Sequence, residues 1–144
     1  MKLIAEKITD ESSLQQAFQI RRQVFVVEQK VPASEEYDEF EKVSRHFLAK
    51  IDGKPVGTAR WRFTKNGVKL ERFAVLKEAR GKGVGQALVA AVLEDLKSTP
   101  EAEGKTKYLH AQLTAMPLYS KFGFEKKGDL FEECNIQHYK MELA

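Results

Sequence analysis

LERFAVLKEARGKGVGQALV, residues 70–89, holds the end of a strand, a glycine-rich turn and the start of a helix in one unbroken run. Ahead of the turn, apolar side chains fall at Val68 and Leu70 and then at Phe73 and Val75, so the two-residue period slips by one at Glu71 and Arg72. An extra residue in the strand, a β-bulge, accounts for the slip. The middle of the run, Arg80-Gly81-Lys82-Gly83-Val84-Gly85, lies between strand and helix. Glycines there let backbone N–H groups converge on a phosphate, and a helix N-terminus adds partial positive charge. A diphosphate is the natural guest, with a merely tight strand-to-helix turn as the alternative. The pattern is neither GxxxxGK[ST] nor GxGxxG. Beyond the turn, Val84, Leu88, Ala91, Val92 and Leu96 recur at helical spacing over residues 84–97, widened by Val89 and Leu93.

Reading outward, residues 45–51, 56–64 and 68–75 form a strand meander, joined through Asp52-Gly53 and Asn66-Gly67, dipeptides suited to positive φ. Residues 2–8 read as a first strand. Asp10 or Ser12 caps a helix running to about Glu28, with Leu14, Ala17, Phe18, Arg21, Val24 and Phe25 on one face. Residues 31–42, acidic and containing Pro32, form a loop or short second helix. Residues 108–113 make another strand, Pro117 opens a short helix over 116–122, and the stretches near Phe124 and over 139–143 close the sheet. This order suits a mixed α/β (α+β) sheet better than a doubly wound parallel one.

The 144 residues suit one domain, 1–144, and 42% hydrophobic with 31% charged residues excludes a disordered or disulfide-scaffold chain. With no bilayer-length apolar run and no signal-like N-terminus, a cytoplasmic protein is expected, with no membrane partner. Cys134 stands alone, and Cys134 with His138 offers too few ligands for structural zinc, so no metal is expected. A net charge of +3 is too mild to argue for nucleic acid. Arg60-Trp61-Arg62-Phe63 interleaves basic and aromatic residues, but in a hairpin strand this reads as one buried and one wet face. Charge is uneven: residues 28–42 carry Glu28, Glu35, Glu36, Asp38, Glu39 and Glu41 and would attract a cation, whereas Lys77, Arg80 and Lys82 would attract an anion.

Residues 70–89 resemble motif A of the GNAT N-acetyltransferases, in which R/Q-x-x-G-x-G/A binds the pyrophosphate of acetyl-CoA; Arg80, Gly83 and Gly85 match its fixed positions. Gln112-x-x-Ala115-x-x-Leu118-Tyr119-x-Lys121-x-Gly123-Phe124 resembles motif B, with Gln112 where many members carry Asn. The run from Arg21 to Gln29, RRQVFVVEQ, is similar to the small bacterial YjcF-like and ElaA-like branch. The resemblance implies the GNAT acyl-CoA N-acyltransferase fold: a mostly antiparallel, seven-stranded mixed sheet, splayed between its fourth and fifth strands and flanked by about four helices.

It also implies acetyl transfer from acetyl-CoA, the cosubstrate, to a primary amine by direct attack in a ternary complex. Phe73 and Val75, with Ala74 between them, would pair with the pantetheine arm through their backbone, and the N–H of Phe73 would hold the developing oxyanion. Arg80, Gly81, Lys82, Gly83, Val84 and Gly85 would grip the diphosphate, and Gln112 would contact the cofactor arm. Tyr119 matches the position whose hydroxyl protonates the departing thiolate. Glu71 ranks first as general base, with His110 and His138 as alternatives at neutral pH. Glu28, Asp38, His110 and His138 are candidates for binding the amine, a small molecule or peptide. A monomer or homodimer is expected, and a non-catalytic acyl-CoA-binding module of the same fold is the alternative.

Overall fold

Asp10 starts the first helix: its carboxylate accepts the Ser13 N–H at 3.0 Å, satisfying one donor that a helix start leaves free. The computed structural model, which describes residues 1–143, runs β1 (Leu3–Lys7), α1 (Glu11–Arg21), a π-helical continuation (Arg22–Glu28), α2 (Ala33–Glu36), β2 (Arg45–Ile51), β3 (Lys54–Thr64) and β4 (Gly67–Val75). It continues with α3 (Val84–Lys97), β5 (Lys107–Gln112), α4 (Met116–Ser120), β6 (Phe124–Glu133) and β7 (Ile136–Leu143). The expected long first helix therefore divides at Arg21. Past it the coil widens, and the Gln29 N–H reaches back to the Val24 carbonyl at 3.0 Å. The β-branched residues Val24, Val26 and Val27 crowd a tight helical turn, and such wide turns recur where a helix borders a site.

The seven strands form one sheet in the order β1-β2-β3-β4-β5-β7-β6, antiparallel except for β4 beside β5. α3 packs across β1, β2 and β3 on one face, and α1 lies against β2, β3 and β4 on the other. The α3 side holds the main core, including Phe47, Trp61, Leu70, Leu88, Val92, Leu109 and Met141. A smaller cluster under α1 joins Ala17, Ile20, Val24, Leu48 and Ala74. Among the described residues no helix is long and apolar enough to cross a membrane.

Two local features place the site. The β4–β5 pairing covers only Val68–Leu70 against Lys107–Leu109, after which the strands splay. Because Leu70 and Leu109 both point into the α3-side core, the next residues, Glu71 and His110, emerge on the opposite face at the fork. The second feature is the bulge that the period slip predicts. Glu71 stands opposite Arg60 and Ala74 opposite Thr58, so Arg72 and Phe73 share one partner, with Arg72 at φ 57°. The extra residue turns Phe73 back to the α3-side core.

The C-terminal hairpin is longer than the sequence indicates. β6 and β7 are joined by Cys134-Asn135, both with positive φ, a tight turn made without glycine. β6 is an edge strand with most of its side chains exposed, so residues 125–130 lack the alternation that marks a half-buried strand. Gly67 explains the start of β4: a Cβ there would lie 2.2 Å from the Thr106 carbonyl oxygen, which accepts the Val68 N–H.

Candidate active site

Beyond Leu70, β4 has a free edge. The Leu76 N–H is given to the Val56 carbonyl on the β3 side, and the Ala74 position pairs with Thr58. Alternation then turns the N–H and C=O of Phe73 and Val75 the other way, into the gap between β4 and β5. The Val75 carbonyl confirms this direction by accepting the Arg80 Nε–H at 3.1 Å. The gap is a cleft of about 390 Å³, lined on the β4 side by residues 69–75 and on the other by His110, Gln112, Tyr119 and His138. Ala74 spends its backbone on β3 and its side chain on the α1 cluster, so it adds only surface.

At one end the cleft meets a second hollow, of about 220 Å³, formed by Arg80, Gly81, Gly83, Val84, Gly85 and Leu118. Gly83 caps α3 at φ 85°, a left-handed conformation that side chains resist. The N–H groups of Gly81, Lys82 and Gly83 meet no acceptor among the described residues, and the first turn of α3 adds the free donors of any helix start. A Cβ on Gly81 would touch nothing within 4 Å, so no other part of the described chain covers that side of the backbone. Arg80 is held by Glu28 from the end of the π-helical segment, Nη1 and Nη2 donating to its two carboxylate oxygens at 2.6 and 2.7 Å. That hydrogen-bonded pair keeps the Glu28 carboxyl below its ordinary value. Glu28, expected to draw in an amine, is instead paired with Arg80.

Tyr119 rises from α4 into the cleft, buried between the rings of Phe73 and Phe124, with centroids at 5.6 and 6.2 Å. Burial pushes its phenol well up, so the hydroxyl keeps its proton. Among the described residues the hydroxyl has no hydrogen-bond partner, so it is available to a ligand rather than tied into the core.

The face under α1 carries a buried ionic wall. Arg60, fully buried on β3, donates to Asp38 at 2.6 and 2.9 Å, to Glu41 at 2.8 Å and to Glu71 at 2.6 and 2.9 Å. Arg21, also buried, donates to Glu36 and Glu41, and Arg72 reaches Asp38 at 3.2 Å. Two sequence expectations fall here. The acidic segment is no open cation trap, because Glu36, Asp38 and Glu41 are neutralised from inside. Nor is the polar face of β3 wet, since those carboxylates cover Arg60.

Glu71 is drawn into the same wall. Burial pushes its carboxyl up, but Arg60, Lys69 and Arg62 outweigh that and bring it to about 2. Asp38 behaves alike: burial is outweighed by Arg60 and Arg72, giving about 2. A carboxylate so held accepts an ammonium proton poorly, which corrects the ranking of Glu71 as first base.

Across the fork sit the groups that sequence reading ranked second, with a partner it did not identify. His110 Nδ1 lies 3.0 Å from the Glu133 carboxylate, and His138 Nδ1 lies 2.7 Å from the Ile136 carbonyl. Phe131 stacks on His138 and meets His110 edge-on. The β6–β7 hairpin, hidden by its glycine-free turn, brings Glu133 here. Gln112 trades amide hydrogen bonds with Gln29 at 2.9 and 3.4 Å, a bridge across the cleft. Cys134 lies at the hairpin turn with its Sγ 3.2 Å from Glu35.

A family model described as an acetyltransferase (GNAT) domain matches residues 5–144. The chain belongs to the GNAT family. It is thus an acyltransferase of GNAT type, and its splayed fourth and fifth strands are those of the GNAT fold. It is 41% identical over 142 residues to the uncharacterized N-acetyltransferase YjcF of Bacillus subtilis, covering 98% of each chain. An acyl-CoA N-acyltransferase from Pseudomonas aeruginosa superposes with a TM-score of 0.84 at 26% identity, each chain covered completely. Escherichia coli ElaA superposes with a TM-score of 0.80 at 28% identity, again over all of both chains.

Proposed function

We propose that this GNAT protein transfers an acetyl group from acetyl-CoA to a primary amine, both bound at once in the cleft between β4 and β5. One observation carries the reading: a free strand edge joins a bare glycine loop with a helix N-terminus at one end to an unpartnered tyrosine hydroxyl at the other. That edge suits an extended amide arm, the loop a diphosphate, and the hydroxyl a departing sulfur. Acetyl-CoA would supply the acyl group as a thioester, already activated toward amines.

The protein's own groups divide the work. Arg80 and the N–H groups from Gly81 to Gly85 hold the diphosphate, with Lys82 adding charge, and Arg80 exchanges Glu28 for the new anion. The backbone of Phe73 and Val75 aligns the arm as a neighbouring strand would. The Phe73 N–H then faces the carbonyl oxygen as it gains charge. Tyr119, kept protonated by burial, gives its proton to the departing sulfur and is reprotonated by the proton that the attacking nitrogen sheds as the amide forms. Gln112 lets go of Gln29 to admit the arm. The ionic wall with Asp38 and Glu71 shapes one side of the amine site, and His110 and His138 the other. A cytoplasmic enzyme acting as monomer or homodimer suits this reading.

The test is thiol release from acetyl-CoA across a panel of polyamines, amino acids, aminoglycosides and lysine peptides. The reading predicts stimulated release with at least one class. Tight coenzyme A binding with no release from any amine would instead favour a non-catalytic acyl-CoA-binding module.

A further inference from the structure

We propose that His110, oriented by Glu133, is the general base that takes the proton from the incoming ammonium; this rests on the acyl-transfer reading above. An amine at neutral pH arrives protonated and unreactive, so the protein needs a proton acceptor at the amine end of the cleft. Glu71 fails there because Arg60, Arg62 and Lys69 already hold its charge. His110 stands across the fork from Glu71, one residue beyond the last β4–β5 pair, and lines the same cleft.

The carboxylate of Glu133 sits 3.0 Å from His110 Nδ1, and that hydrogen bond holds the Glu133 carboxyl below its ordinary value, hence ionised at neutral pH. An ionised carboxylate accepts only, so Nδ1 carries the hydrogen and Nε2 presents its lone pair. This is the carboxylate–imidazole arrangement that fixes tautomer and ring orientation in nucleophile-activating sites, used here on an amine. The proton passes from ammonium nitrogen to His110 Nε2, leaving a neutral amine and an imidazolium facing Glu133. After product leaves, Nε2 returns that proton to water.

Other charges face the pair from every neighbouring element. Lys69 on β4 acts on Glu133 through space, and His138 on β7 brings Nε2 to 3.9 Å from its other oxygen. Lys140 lies opposite His110 on β7, its ammonium over the Tyr108 ring at 5.2 Å, and Tyr108 lies beside His110 on β5. Phe131 on β6 supplies an apolar edge at 5.0 Å. His138, more deeply buried and with Nδ1 on the Ile136 carbonyl, is the less accessible imidazole.

The test compares wild type, His110→Gln and Glu133→Gln on an alkyl amine active in the panel, from pH 7 to 10, with coenzyme A affinity measured alongside. Expected is a loss in kcat/KM of about 100-fold at pH 7 for His110→Gln and about tenfold for Glu133→Gln, with cofactor affinity unchanged. The His110→Gln deficit should shrink steadily as rising pH supplies neutral amine. A deficit constant across that range, or a His110→Gln enzyme within about threefold of wild type at pH 7, overturns the base while leaving acyl transfer intact. A wild type silent toward every amine overturns the acyl-transfer reading and this proposal with it.

Discussion

Tyr119 and Glu28 show how much a single side chain decides here. If the Tyr119 hydroxyl protonates sulfur, Tyr119→Phe lowers kcat by about 100-fold while coenzyme A affinity stays within twofold, as steady-state kinetics and calorimetry would record. Equal losses in both would make the ring structural. Glu28 should act in the opposite sense. Its carboxylate spans Arg80, so a diphosphate bound there would have to displace it, and Glu28→Gln should then tighten coenzyme A binding by about threefold at low salt, since such exposed pairs are weak. Pantetheine, lacking the diphosphate, should bind the variant and wild type alike. Unchanged coenzyme A affinity in the variant would show that Glu28 does not compete.

The ionic wall is where α1, the acidic segment, β3 and β4 are locked together. Arg60→Met leaves Asp38, Glu41 and Glu71 without their common partner, and removing one side of a buried pair costs about 3–5 kcal/mol. Urea unfolding would read this, and a loss under about 1 kcal/mol would mean that the wall is dispensable. The sequence shows these elements unequally. The slip at Glu71 and Arg72 is visible because a strand with one apolar face leaves a phase to break, and Asp52-Gly53 is visible because positive φ selects those residues. Cys134-Asn135 makes the same kind of turn without glycine, which hides the hairpin and Glu133 with it. Arg60 is invisible for a different reason: its burial depends on carboxylates distant in sequence, so a strand pattern alone puts it in water. The same cancellation turns the acidic run from an expected cation trap into internal structure.

For the molecule as a whole, these buried charges set the pH range of stability. Asp38 and Glu71 ionise at about 2 when folded, against 3.8 and 4.5 ordinarily. The unfolded chain therefore takes up protons first on acidification, and the stability these groups confer is lost between about pH 4.5 and 2. His46 acts earlier. Burial, with Arg21 and Arg60 nearby, holds it below its usual 6.5; its Nε2 lies 2.8 Å from the Glu41 carbonyl and its buried Nδ1 has no partner among the described residues. The folded state disfavours its cation, so stability begins to fall as pH drops through about 6.5. Urea midpoints against pH should decline in these two windows, and His46→Phe should flatten the upper one; a midpoint level from pH 7 to 5 would contradict the role given to His46. The cleft itself is tested most directly by a crystal structure of the protein with coenzyme A. Acyl transfer in this cleft requires the diphosphate on the loop from Arg80 to Gly85 in place of Glu28, the arm along Phe73 and Val75, and sulfur within hydrogen-bonding reach of the Tyr119 hydroxyl. Coenzyme A bound elsewhere, or a gap between β4 and β5 still bridged by Gln29 and Gln112 at saturating ligand, would contradict it.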